Sequence, residues 1–420
     1  MKLNTPSTKY NLEGYPRKLV SLKGELQCEL ETLLKFWSNQ ALDLENGGVI
    51  GRIDHYGNRY DTAPKGCVLT TRLLWTFSAA YKTTLNPAFK VKADAIFAYL
   101  LEHFWDYQYG GLFWEVDFKG IPTNKRKQAY AQGFGIYAFS EYYSATNNSL
   151  SLKYAVTLFN LLEEKFKDQK HSGYIEALQN DWSHIEDMRL SEKELNVPKT
   201  MNTHLHIIEP YTNLYRVWKD ETLKKSIANL LFIFQDKIID KATGHFNLFF
   251  DIDWQVRSQS VSFGHDIEGA WLLNEAAEVL EDQSLIDSIR QSALKLANNT
   301  MVHGRDKDGA VFNGIENDIL DKDKHWWPQA EAMVGFMDAF AIDPRLEYLD
   351  AVINLWIFIK GKLIDRENGE WFWRVDEHGH PNPNDDKLGL WKCPYHNSRA
   401  LIELIKRIDQ TNQLTLCKTP

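Results

Sequence analysis

Five short stretches carry side chains that a plain helical core would not choose. They read Lys65-Gly-Cys-Val-Leu-Thr-Thr-Arg72, Met201-Asn202-Thr-His204-Leu-His206-Ile-Ile-Glu209, Phe263-Gly264-His265-Asp-Ile-Glu268, His325-Trp326-Trp327-Pro-Gln-Ala-Glu331 and Trp391-Lys-Cys-Pro-Tyr395-His396. An arginine on an otherwise apolar helix is costly to bury alone, so Arg72 needs either a structural carboxylate or a ligand. One histidine in such a place is more often a satisfied core residue than a catalyst. Three segments with a histidine near the same point weaken that bland reading. His206/Glu209 and His265/Glu268 are three residues apart, so each pair shares a helix face. A carboxylate beside an imidazole fixes its tautomer and raises its basicity. Three chemistries suit such a set. Metal binding would use the two His-x-x-Glu pairs, but on a helix His204 and His206 point about 200° apart and only one can face inward. Glycoside hydrolysis needs two carboxylates flanking the scissile bond, whereas the prominent groups here are imidazoles. Proton transfer at a carbon next to a carbonyl needs a base of near-neutral pKa and donors for the enediolate oxygen. Two histidines and an arginine fit this third chemistry best.

The elements that must hold these residues come from a repeat. A Gly turn followed by alternating aromatic or aliphatic residues recurs at 45–54, 109–117, 171–176, 243–251, 308–313 and 368–376. Its markers Gly48, Gly111, Gly173, Gly244, Gly309 and Gly369 are 63, 62, 71, 65 and 60 residues apart, which indicates six similar units. Apolar residues at helical period predict twelve helices, near 21–40, 67–84, 87–105, 127–146, 150–167, 203–219, 221–238, 264–281, 284–300, 327–341, 344–361 and 394–409. Short loops make neighbours antiparallel. Six such pairs close into an (α/α)6 barrel of six inner and six outer helices, with hairpin-like segments in the rim loops. All Gly turns precede the second helix of a unit, so the N-termini of the inner helices gather at one end, where positive potential favours developing negative charge. The expectation is a single catalytic domain over 1–420, with 1–17 as a surface tail.

Composition narrows the function classes. With 44% hydrophobic and 25% charged residues in 420, the chain is an ordinary globular one. A formal charge of −9 argues against nucleic acid, which needs a basic surface. The 14 Trp, 18 Tyr and 22 Phe exceed what a core demands and suit a cleft for sugar rings. Cys28, Cys67, Cys393 and Cys417 lie scattered, as reduced and mostly buried thiols of a cytoplasmic protein do. Neither a signal peptide nor a membrane span is visible.

Taken together and in order, the five stretches resemble the N-acylglucosamine 2-epimerase superfamily, most closely its cellobiose 2-epimerase branch. The segments that carry the likeness are Ala63-Pro-Lys-Gly, Arg72-Leu-Leu-Trp-Thr-Phe-Ser-Ala-Ala-Tyr81, Met201-Asn-Thr-His-Leu-His206, Gly264-His-Asp-Ile-Glu268, Trp326-Trp-Pro-Gln-Ala-Glu331 and Trp391-Lys-Cys-Pro-Tyr-His396, within a likeness that runs from about 20 to 409. The resemblance implies an (α/α)6 barrel, no metal or other cofactor, and reversible epimerisation at C2 of the reducing-end glucose of β-1,4-linked disaccharides such as cellobiose and lactose. It implies His265 and His396 as acid/base residues on the two faces of a cis-enediol(ate). His206, Arg72 and Asn202 would bind the C1 and C2 oxygens, and Glu268 would orient His265. Trp327 and Trp391 would stack on sugar rings. Ser191 and Glu194 fall where the family contacts the second sugar, Glu194 at a position the family gives to Asp. A monosaccharide mannose/glucose 2-epimerase, an N-acylglucosamine 2-epimerase and a non-catalytic sugar-binding toroid are the alternatives. The expected partner is a small carbohydrate alone, a disaccharide or a monosaccharide, with the protein a monomer or weak homodimer.

Overall fold

The computed structural model describes residues 14–416, with side chains as far as residue 411. Twelve helices alternate between two rings. The inner ring is α2 (Cys67–Thr84), α4 (Ala129–Thr146), α6 (Met201–Val217), α8 (Phe263–Leu280), α10 (Trp326–Ile342) and α12 (Tyr395–Leu416). The outer ring is α1 (Tyr15–Gln40), α3 (Pro87–Tyr99), α5 (Ser149–Leu161), α7 (Glu221–Ile233), α9 (Gln283–His303) and α11 (Leu346–Phe358). Each inner helix touches the next, and α12 touches α2, so the ring closes. This is the expected (α/α)6 barrel.

Burial follows sequence pattern. On α1 the buried residues Leu19, Leu22, Leu26, Leu30, Leu33 and Trp37 form one stripe, as on an amphipathic outer helix. On α4 every residue from Ala129 to Tyr142 is buried, because an inner helix has neighbours on all sides. Two expectations shift. Helix α1 begins at Tyr15, so Tyr15–Arg17 belong to it, while 1–13 of the expected tail lie outside the described residues. Cys67 and Cys393 are buried, but Cys28 is exposed on the solvent side of α1, and Cys417 lies outside the described residues. Four outer helices also end in a five-residue π-helical turn: Leu100–Phe104, Leu162–Phe166, Phe234–Ile238 and Ile359–Leu363.

The Gly turns explain the repeat. Gly111 has φ +77, and a Cβ there would lie 2.8 Å from Trp182 and 2.9 Å from Gln132 Oε1, so no larger residue fits. An isolated bridge closes each of the six turns, from Leu42 to Val49 in the first unit to Ile364 to Trp371 in the last. Short antiparallel strands then stitch one unit to the next: Lys65–Gly66 to Glu115–Val116, Lys127–Gln128 to Ala177–Leu178, Lys199–Thr200 to Phe249–Phe250, Val261–Ser262 to Gly314–Glu316, and Lys324–His325 to Arg374–Val375. Leu388 accepts from the Ile53 N–H at 2.9 Å and completes the belt. The first strand of each pair runs directly into an inner helix, so the belt fixes where the inner N-termini stand.

Candidate active site

The inner helix N-termini carry the five polar stretches to one end of the barrel. Arg72, one turn into α2, is 3% exposed. Its Nη2 donates to Tyr130 Oη at 2.8 Å, and its guanidinium lies over the Phe134 and Tyr395 rings at 4.2 and 4.8 Å. Among the described residues its Nε has no partner. Its Nη1 lies 3.9 Å from Cys393 Sγ, and among the described residues no carboxylate is bonded to Arg72, so the carboxylate pair of the plain structural reading does not form.

His206 packs against Tyr130 and Phe134, with ring centroids 4.9 and 5.1 Å apart. Its Nδ1 is 2.9 Å from Glu209 Oε2, as the spacing predicts. His204 turns the other way: Nδ1 meets the Thr200 carbonyl at 2.7 Å, and Nε2 accepts from the Tyr174 N–H at 2.9 Å. It holds the Gly turn of its unit as Gln132 and Gln329 hold theirs, through Leu112 and Val311. Only His206 faces the site. Asn202 opens the same helix, and its Oδ1 is buried without a partner among the described residues.

Helix α8 begins under the cap of Ser262, whose Oγ accepts from the His265 N–H and stands 2.7 Å from His265 Nδ1. The expected His265–Glu268 pair does not form. Glu268 Oε1 instead accepts from Arg399 at 2.8 Å and is 3.8 Å from His396 Nδ1, because the His265 ring points back toward its own cap. Trp327 packs against both histidines, its ring 4.7 Å from His265 and 5.7 Å from His396. It comes this near because Gly264 lacks a side chain: a Cβ there would be 2.5 Å from the indole. His396 Nδ1 is 2.7 Å from Glu331 Oε1. Trp391 lies 5.8 Å from Tyr130 and 5.9 Å from Trp114.

Burial dominates the electrostatics. It lowers His265 to about 4, and lowers His206 and His396 well below the usual histidine value, with the Arg72 charge acting the same way. It raises Glu268 to about 8 against the opposing pull of Arg72. Burial and then the Glu268 charge push Glu331 upward, and the Trp271 N–H opposes them. The imidazoles are therefore neutral at neutral pH. Each has its Nδ1 held, and among the described residues none holds an Nε2.

The sequence model of N-acylglucosamine 2-epimerase (GlcNAc 2-epimerase) matches residues 48–400. The chain belongs to this family. A cellobiose 2-epimerase of Bacteroides fragilis is 46% identical over 387 residues, 91% of this chain and 98% of the relative. One from Dictyoglomus turgidum is 39% identical over 92% of this chain and 99% of the relative. The solved cellobiose 2-epimerase of Bacillus thermoamylovorans is 40% identical, with a TM-score of 0.89 over 92% of this chain and all of that one. Membership makes the protein a carbohydrate epimerase.

Several features of this epimerase were not visible in its sequence. Tyr130, which joins Arg72, His206 and Trp391, sits between Gln128 and Gln132 in a stretch with no histidine or carboxylate to mark it. Arg399, one turn beyond His396, bonds Glu209, Glu268, Glu331 and Tyr395. His396, Glu268 and Glu331 bring ligand atoms within 4.8 Å of one another, a spacing that could hold a cation. Arg399 Nη2 stands 2.8 and 2.7 Å from the two carboxylates and supplies positive charge there. Glu194 is largely buried and accepts from the Leu190 N–H at 3.2 Å. Ser191 is half-buried in the same loop, where its carbonyl accepts from the Glu194 N–H. Trp182 donates to the Tyr109 carbonyl, as Trp254 donates to that of His171 one unit later. Both are struts of the repeat.

Proposed function

We propose that the protein is a cellobiose 2-epimerase, which interconverts glucose and mannose at the reducing end of β-1,4-linked disaccharides. The observation that carries the reading is the pair of imidazoles of His265 and His396, both packed against Trp327 and kept neutral by burial, each anchored through Nδ1 with Nε2 left for a substrate. In the open-chain sugar the C1 aldehyde makes the C2–H a weak carbon acid. One imidazole takes that proton, and the electron pair moves into the C1–C2 bond, placing negative charge on the C1 oxygen. Arg72 and Asn202 stabilise this cis-enediolate, while the bare Nε2 of His206 accepts from the C2 hydroxyl, and this is where most of the barrier is lowered. As the enediolate charge develops, the second imidazole takes up a solvent proton and passes it to the opposite face of C2, inverting it, and the first releases the proton it took to solvent. Trp327 and Trp391 offer faces for the sugar rings. His265 and His396 need pKa values that let them both take and give protons, and their neutral resting state supplies the base.

Identity to relatives named cellobiose 2-epimerase along almost their full length supports the substrate class. The reaction needs no resident cofactor in this reading. Epimerisation of cellobiose in D2O should place deuterium at C2 of the product, read by NMR. His265→Asn and His396→Asn should each lower kcat by at least about 10²-fold with unchanged far-UV circular dichroism. Product formed without solvent deuterium would sink the two-base scheme.

A further inference from the structure

Arg399 makes more charged contacts than any group the proposed mechanism uses, yet it faces carboxylates rather than the sugar. It is 1% exposed. Nη1 bonds Glu209 Oε1 and Tyr395 Oη, while Nη2 donates to Glu268 Oε1 at 2.8 Å and Glu331 Oε1 at 2.7 Å. The guanidinium lies over the Trp271 and Tyr395 rings at 4.8 and 4.3 Å. Two of its three carboxylate partners are the groups that hold Nδ1 of His206 and His396. Residues from three inner helices and α12 itself thus meet at one cation.

We infer that Arg399 is a positioning residue that keeps Glu209 and Glu331 ionised, and thereby holds His206 and His396 in the tautomer whose Nε2 carries a lone pair toward the sugar. The inference rests on the epimerase reading above.

The argument is one of charge and donor count. Glu209 Oε1 accepts from Arg399 and Tyr395, so its Oε2 is an acceptor for His206 Nδ1–H. Glu331 Oε2 accepts from the Trp271 indole at 3.1 Å and Oε1 from Arg399, leaving His396 Nδ1 as a third donor. Three acids, Glu209, Glu268 and Glu331, face two permanent cations, Arg399 and Arg72. One proton restores neutrality. Burial and the Glu268 charge push Glu331 upward; the one proton sits on Glu268, whose Oε2 is buried with no partner among the described residues, and that removes the Glu268 charge and leaves Glu331 ionised against Arg399. The other charged or titratable groups facing Arg399 are Tyr137 on α4 and Glu403 on α12. Burial lowers Arg399 itself only to about 10, so it stays charged at neutral pH.

Without Arg399, a single cation would face three buried acids, and Glu209 and Glu331 would take up protons. A protonated carboxyl donates to Nδ1, which moves the imidazole hydrogen to Nε2 and turns a base into a donor. The loss should reverse at higher pH as the carboxyls ionise again. A lysine would keep the charge but not the two-armed fork.

The test combines three readouts. In the wild type, nitrogen-15 NMR of labelled histidine should show His206 and His396 protonated at Nδ1 and bare at Nε2; protonated Nε2 on both would overturn the inference, with no dependence on turnover. For cellobiose, Arg399→Met should keep KM within about threefold and move the acid limb of kcat up by at least about one pH unit, the scale of losing an adjacent opposite charge. Arg399→Lys should leave the limb in place and recover at least about tenfold of the lost kcat. A folded Arg399→Met with the native limb and native kcat overturns the inference. If that variant does not fold, Arg399→Lys decides: a native acid limb with both histidines protonated at Nδ1 supports, and a kcat lowered at least about tenfold with those tautomers unchanged overturns, because the loss then does not act through the tautomer. Should wild-type enzyme leave C2 unexchanged in D2O, the epimerase reading falls, while the tautomers remain measurable.

Discussion

His265 shows how far burial moves a side chain from its behaviour in water. Its only named perturbation is desolvation, which takes it from 6.5 to about 4. The neutral ring is thus the favoured folded form, and the stability it contributes is complete above pH 6.5. That contribution is lost as pH falls from 6.5 through about 4, because the unfolded chain binds the proton first. Wild-type melting temperature should therefore fall over this window, and His265→Asn should fall less. In kinetics the acid limb of kcat/KM for cellobiose should lie below 6.5; a limb at or above that value would show that the site does not desolvate His265 as the structure implies. Prolonged EDTA treatment should leave turnover unchanged, since Arg399 supplies the positive charge between Glu268 and Glu331. A loss restored by one divalent ion would reopen the metal reading. The histidines and Arg72 were legible in sequence because each stands out against an apolar helix. Arg399 closes the polar stretch that begins at Trp391, but its role was not legible, because its partners Glu209, Glu268 and Glu331 are 190, 131 and 68 residues away. No local spacing announces a contact of that range. Glu268 misled for the same reason, since three residues put it on the face of His265 while the cluster drew it to Arg399.

At the scale of elements, the belt that positions the inner helices rests on buried ion pairs that recur. Lys65, Lys127, Lys199, Lys324 and Lys387 reach Asp43, Asp106, Asp168, Asp306 and Asp365 at 2.6 to 2.8 Å. The same aspartates bind N–H groups of their own turn, as Asp106 does those of Gln108 and Tyr109. Unit four departs: Val261 stands at the strand position where the first three units have lysine. These lysines look like surface residues in sequence, which is why periodicity found the helices and the glycines while the ion pairs escaped. Lys127→Met should cost about 3–5 kcal/mol, because it leaves the Asp106 carboxylate buried without its cation. Thermal unfolding measures it, and a change under about 1 kcal/mol would mean that water reaches Asp106. The double replacement Lys127→Met with Asp106→Asn should recover part of the loss. The π-helical turns were hidden differently, since a single wide turn scarcely disturbs an apolar stripe.

For the whole molecule the question is which sugar the ring was built to hold, and the last expectation follows from its rim. In the proposed mechanism chemistry at C2 engages one ring, held by Arg72, Asn202 and the three histidines. The rim extends further. Gln128 reaches the Arg189 carbonyl at 3.0 Å and Arg126 that of Asp187, fastening the loop that carries Ser191 and Glu194. Beside it a cavity of about 800 Å³ is lined by Lys193, Arg257, Ser260 and Glu316, next to the strand that leads into His265. Trp391 adds an aromatic face against Tyr130. A second sugar bound along such a rim contributes binding energy remote from C2, and that energy raises turnover only if it aligns the reacting carbon. Two outcomes are then tied together. Wild-type kcat/KM should be larger for cellobiose than for mannose, and Trp391→Ala should reduce turnover of cellobiose far more than any turnover of mannose. Equal losses on both sugars would place Trp391 at the reacting ring. A wild-type kcat/KM for mannose that equals or exceeds that for cellobiose would make the protein a monosaccharide epimerase, with its rim serving only to brace the barrel.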